Sequence, residues 1–204
     1  RGIMADYNYK QGSREGFFDV FSVISSFNFI IVSLMVVGFY VLIDDFISLW
    51  IGSEYVISSS ILVALLMIRM LECLFEPINS VFIIHGYIFK EKWPLIISAA
   101  TNFILTIIFI KYFGLIGAYI ATILALFIKW CGKFYYVLRE IFNKYKTRVL
   151  LKYTTYMLLI VNEMIIINYF ANIFVPKVSS MQLFSYKLTI VIILTLLIDA
   201  VIVL

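Results

Sequence analysis

Residues 93–128 read WPLIISAATNFILTIIFIKYFGLIGAYIATILALFI, two charge-free runs separated by the single charge of Lys111. A helix rises about 1.5 Å per residue and needs about 20 residues to cross a hydrocarbon core of about 30 Å, so each run approaches a full crossing. The chain turns tightly between them, through Lys111 to Gly114. Residues 20–43, VFSVISSFNFIIVSLMVVGFYVLI, are equally free of Asp, Glu, Lys and Arg. Residues 57–84, 153–175 and 188–204 carry only isolated charges. The pattern predicts an all-α fold, a polytopic transmembrane helical bundle of about six spans.

The charges between these runs predict an orientation. Arg1, Lys10 and Arg14 precede the first run, Lys90 and Lys92 follow the second, and Arg139, Lys144, Lys146, Arg148 and Lys152 follow the fourth. The alternate connections hold only Lys111, Lys177 and Lys187. Short loops rich in Lys and Arg stay in the cytoplasm. The chain therefore divides into a cytoplasmic loop (1–19), four spans (20–138), a basic cytoplasmic loop (139–152) and two further spans (153–204). Residues 44–56 are expected outside, with Trp50 and Tyr55 in the interfacial aromatic belt. The chain opens on Arg1 and stops inside an apolar run, so it reads as the C-terminal piece of a longer transporter.

Composition narrows the function. Hydrophobic residues make up 64% of the chain and charged residues 14%, against about a quarter charged in soluble domains. The net charge of +4 is spread over alternate loops, which suits anionic lipid and not nucleic acid. Cys73 and Cys131 fall inside expected spans without zinc-ligand spacing, and read as small apolar core residues. The lone His85, at a span end, reads as interfacial. The chain carries no phosphate-cradling loop, dinucleotide turn, nucleophile elbow or acidic metal loop. It is therefore read as non-enzymatic, with no catalytic residue, no metal and no cofactor.

Charges inside the spans are the candidate functional residues. The second span, 57–84, would reach about 42 Å as one helix, so it must tilt, kink or emerge, and Pro77 offers the kink. Arg69, Glu72 and Glu76 lie three and four apart on one of its faces, which Asn79 or Ser80 continues. Arg69 falls about 18 Å into the span. A charge there costs at least about 2.5–3.5 kcal/mol on insertion scales, so this face is expected against a hydrated cavity or a paired interior. Either Arg69 meets an anionic substrate group, or it forms an ion pair with Glu72 that packs the bundle. Lys129 either joins that path or snorkels its stem to the cytoplasmic face. Glu163 and Asp199 each stand alone near mid-depth, as candidates for ion coupling or for a hydrogen bond to a neighbouring helix.

Two faces read as packing surfaces. Gly117, Ala121 and Ala125, with Gly114, Ala118 and Thr122, give the small-residue spacing that lets helices approach closely. Ser98, Asn102 and Thr106 form a polar stripe suited to interhelical hydrogen bonds or to lining a passage; Asn102 is thus a further candidate for the substrate path.

Three stretches in order resemble the C-terminal half of Wzx-type polysaccharide flippases, in the multidrug/oligosaccharidyl-lipid/polysaccharide exporter superfamily. They are the polar lead at residues 4–16 (MADYNYKQGSREG), residues 46–55 (FISLWIGSEY) and residues 111–122 (KYFGLIGAYIAT). The likeness runs over residues 4–130; the last two spans fit by count. It implies that the six spans are helices nine to fourteen of a two-lobed transporter of about fourteen. It also implies a central cavity with alternating access in the cytoplasmic membrane. The implied cargo is a polyprenyl-pyrophosphate-linked oligosaccharide repeat unit for O-antigen, lipopolysaccharide or capsule synthesis, and other polysaccharide-assembly membrane proteins are implied as partners. The alternatives are a multidrug or peptidoglycan-precursor exporter of the same superfamily and, from another class, a membrane-embedded glycosyltransferase or polymerase.

Overall fold

The computed structural model describes residues 14–176 and 178–203, all of it helices and short connections. The helices are α1 (Arg14–Trp50), α2 (Ser59–Leu74), α3 (Glu76–Ile84), α4 (Lys92–Phe113), α5 (Leu115–Tyr136), α6 (Lys146–Phe174) and α7 (Met181–Val203). Among the described residues no strand occurs. Five helical stretches, built on α1, α4, α5, α6 and α7, are long and apolar enough to cross a membrane. The protein is a multi-pass, all-α membrane protein.

The second expected span is two helices in series, of 16 and 9 residues. Phe75 separates them at φ −89° and ψ 5°, and Pro77 opens α3. Proline has no N–H for the carbonyl four residues back and its ring crowds that carbonyl, so the Cys73 carbonyl loses its backbone donor. Asn28 of α1 fills the gap, its side-chain amide donating to Cys73 O at 3.0 Å and Leu74 O at 3.2 Å.

Several helices run beyond the expected boundaries. α1 is expected over 20–43 with an external segment from Asp44, yet it runs unbroken from Arg14 through Asp44 and Asp45 to Trp50, 37 residues. α4 likewise outruns the run 93–110, through Lys111 to Phe113, whereas α5 ends at Tyr136, close to the expected end of the fourth span at 138. The expected basic loop 139–152 is short: a wide turn over Val137–Ile141 and one tight turn over Asn143–Tyr145 lead into α6, which already contains Lys146, Arg148 and Lys152. α7 begins at Met181, so Lys187 is helical. Charge does not stop a helix. Lys, Arg and Glu propagate one well, and only Gly and Pro exact a steep penalty. Of the polar lead, residues 1–13 lie outside the described residues, as do Lys177 and Leu204.

The chain forms two compact units, one of residues up to 28 with 67–152, the other of 29–66 with 153 onward. In the first, α4 and α5 make an antiparallel hairpin about Gly114, whose φ of +61° favours glycine. A Cβ on Gly117 would stand 2.3 Å from Phe109 O, and one on Gly132 would stand 2.6 Å from Pro94 Cβ. Both ends of the hairpin therefore close on glycine. Between them Ser98 donates to Ala125 O at 2.6 Å, and Thr122 to Asn102 Oδ1 at 3.4 Å. The small-residue face and the polar stripe thus meet each other across the hairpin. Phe75 packs edge-on against Trp130 and Phe134, and Phe17, Phe18 and Phe21 close on Phe142.

In the second unit, Phe29, Val32, Val36 and Val37 of α1 are buried together with Ile160, Ile167 and Ala171 of α6 and Val191 of α7. Phe29 stacks on Tyr156 at 4.1 Å. Phe46 meets Phe184 at 5.9 Å.

Candidate functional site

The break at Phe75 parts the charged face expected on one continuous helix. On α2, Arg69 Nη1 donates to Glu72 Oε2 at 3.0 Å, and their side chains are 68% and 38% exposed. Arg69 was expected at a cavity wall or in a paired interior. It is paired, but it stands on an exposed face. The cause is its register on α2: Leu66, Met70 and Leu74 take the buried side.

On α3, Glu76 and Asn79 turn to a different partner. Asn79 Nδ2 donates to the two Glu76 oxygens at 3.1 and 3.3 Å, and Asn79 Oδ1 accepts from Lys133 Nζ at 2.5 Å. Lys133 also pairs with Glu91 at 2.6 Å. Its ammonium lies 5.6 Å from the Phe82 ring centroid and 5.3 Å from that of Trp130. Lys133 is 3% exposed, so the pair, the amide and the two rings together replace its water. Glu76, Asn79, Glu91 and Lys133 thus form one polar network in the first unit, with Lys133 buried and the other three half-buried.

Ser80 is buried on α3. Lys129 is half-buried with its ammonium 5.3 Å from the Trp130 ring centroid. Asn102 serves the hairpin. Cys131 is exposed where a core position was expected, and Cys73 is half-buried; both are free thiols. His85 Nδ1 contacts Val81 O at 2.9 Å, and its ring meets Phe17 edge-on.

The second unit brings Glu163 and Asp199 together. Glu163 is 2% and Asp199 0% exposed, and Ser33 beside them is fully buried. The Ser33 hydroxyl donates to Glu163 Oε2, and the two carboxyls interact directly. Three helices supply this site: α1 the hydroxyl, α6 and α7 one carboxyl each.

A polar cavity of about 290 Å³ lies in the same unit, lined by Tyr40, Asp44, Asp45, Asn168, Asn172 and Lys187 among others. Lys187 is 4% exposed, and it donates to Asp45 Oδ2 at 2.7 Å and Asn172 Oδ1 at 2.9 Å. Asp44 Oδ1 is buried with no donor among the described residues. Ser33, Tyr40 and Asp44 share one face of α1 by their spacing of seven and four.

Sequence reasoning passed over Lys133, Lys187 and Asn28. A signal for Lys133 existed: the antiparallel hairpin about Gly114 carries Glu91 and Lys133 to the same end. Among the described residues no group of three or more His, Cys, Asp or Glu is arranged to hold a metal. No known protein family, curated protein or solved structure matches this chain.

Proposed function

We propose that this chain belongs to a transporter that flips polyprenyl-pyrophosphate-linked oligosaccharide repeat units across the cytoplasmic membrane for polysaccharide synthesis. The observation that carries the transport reading is the presence of buried ionisable side chains within membrane-length helices, Lys133 in one unit and Glu163 with Asp199 in the other. Such side chains are costly in a span, and they mark substrate or ion pathways. A purely structural bundle has no need of them. The class of cargo rests on the resemblance of residues 46–55 and 111–122 to polysaccharide flippases. Arg69, with its exposed guanidinium, and Lys129 are the cations offered to a pyrophosphate, Arg69 gripping it through its planar fork.

The test is deletion of the full-length protein in its host. Surface polysaccharide should be lost while lipid-linked repeat units accumulate on the cytoplasmic face. Normal polysaccharide with new sensitivity to cationic dyes would replace this reading with that of a drug exporter.

A further inference from the structure

Three helices of the second unit converge on two carboxyls that no group among the described residues neutralises. Glu163 of α6 and Asp199 of α7 are fully enclosed, and they interact with each other and with Ser33 of α1. Ser33 has one hydrogen to give, and it goes to one Glu163 oxygen. The other Glu163 oxygen and both Asp199 oxygens are buried without a donor among the described residues.

The nearest charged groups along the same helices are Lys152 on α6, whose ammonium donates to Ser22 and Ser26 of α1, and Asp44 and Asp45 on α1 with Lys187 on α7. The last three belong to the polar cavity, where Lys187 is held by Asp45 and Asn172. Asp44 lies about 16 Å along α1 from Ser33, and the buried Val36 and Val37 intervene. No lysine, arginine or histidine among the described residues acts on the carboxyl pair.

Two ionised carboxylates that share a dry site repel each other, and neither donates a hydrogen bond. One proton removes both problems. It sits on one carboxyl and donates to the other, leaving the pair with a single negative charge that the Ser33 hydroxyl helps to stabilise.

A metal ion fits less well. A hard cation such as Ca²⁺ takes about six to eight oxygens. Here the residues a turn away on α6 are Ile160 and Ile167, both fully buried. The Thr195 hydroxyl, one turn from Asp199, is committed to Val191 O at 2.7 Å.

We propose that Glu163 and Asp199 hold one proton between them and form an occluded proton-binding site. Loading takes a proton from water when the site opens, and release returns it to water. The site stands on the geometry of the pair, and only its coupling to cargo movement rests on the transport reading above.

The experiment uses the purified full chain in micelles of an ester-free detergent and reads the infrared C=O absorption of protonated carboxyls at pH 7. Ordinary Asp and Glu side chains, with pKa values near 4, are silent in that band at this pH. The native protein should show the band, and Glu163→Gln and Asp199→Asn should each shift its frequency, because each changes the partner to which the protonated carboxyl donates. Native protein treated with a hydrophobic carbodiimide, which attacks protonated carboxyls, should carry the label on Glu163 or Asp199. This second measurement needs no variant to fold. No band in the native protein, a band unchanged in both variants, or labelling only elsewhere would overturn the site. A band or label that appears only when sodium is replaced by choline would make it a sodium site and equally overturn it. These readouts involve no cargo, so they stand or fall separately from the deletion test.

Discussion

Replacing Asn28 with Leu tests how the broken span is held. The Asn28 amide supplies two hydrogen bonds, 3.0 and 3.2 Å long, to the carbonyls of Cys73 and Leu74. Each net hydrogen bond contributes about 0.5–1.5 kcal/mol, and bonds measured inside membranes average about 0.6 kcal/mol. The expected loss is therefore about 1–3 kcal/mol. Pro77 makes the argument sharper. Pro77→Ala restores an N–H four residues beyond Cys73, so that carbonyl no longer depends on Asn28 and only Leu74's does. In the Pro77→Ala background the cost of Asn28→Leu should fall by about half, a coupling of about 0.5–1.5 kcal/mol, within the range for residues sharing one network. The assay is the denaturant midpoint in mixed micelles for the four chains of the cycle, which cancels any packing change from losing the proline ring. An equal cost in both backgrounds, or none in either, would refute the account of the break.

Five other outcomes are expected. Lys133→Met strands Glu91 and Asn79 and should cost about 3 kcal/mol, at the low end for a broken buried pair because Glu91 retains 21% exposure; adding Glu91→Gln should recover more than half of the thermal shift. Gly117→Leu should weaken the hairpin by about 1–3 kcal/mol. Gly38→Ala, with nothing within 4 Å of the new Cβ, should be neutral or stabilise by up to about 1 kcal/mol, both read by thermal unfolding in micelles. Arg69→Ala should leave stability within about 1 kcal/mol yet abolish transport, Arg69→Lys should keep part of it, and full transport by Arg69→Leu with Glu72→Leu would dismiss Arg69 as a substrate contact. A cysteine at Ser53 should label from outside whole cells while one at Thr147 is spared; the reverse would overturn the orientation drawn from the basic loops.

Apolar runs announced the helices, but not their lengths. The signals read as ends were charges, yet α1 runs on through Asp44 and α6 already contains Lys146, Arg148 and Lys152, because a helix passes through charge without difficulty. Where the punctuation was conformational, at Pro77 and Gly114, the expected breaks fall where the chain breaks. The site divides in the same way. Arg69–Glu72 and Glu76–Asn79 are neighbours in sequence, so their pairings follow from helical spacing. Glu163 and Asp199 were each visible as a lone charge in an apolar segment. Their contact, with Ser33 from a third helix, depends on how α1, α6 and α7 pack, and helical periodicity within one segment does not encode that. Asn28 was hidden for a related reason: one amide in an apolar span gives no hint that a distant proline has left a carbonyl for it to serve.

The hairpin of α4 and α5 bears on how the protein is made. A single residue, Gly114, separates the two helices. Their contacts join positions close in sequence, so little loop-closure entropy is spent in forming them. Of α4 only Ser98 is buried, and its bond goes to Ala125 of α5. During synthesis α4 therefore meets its main partner as soon as α5 leaves the ribosome, before α6 and α7 exist. The pair can enter the bilayer as a finished two-helix unit, and the rest of the chain assembles around a piece that is already native.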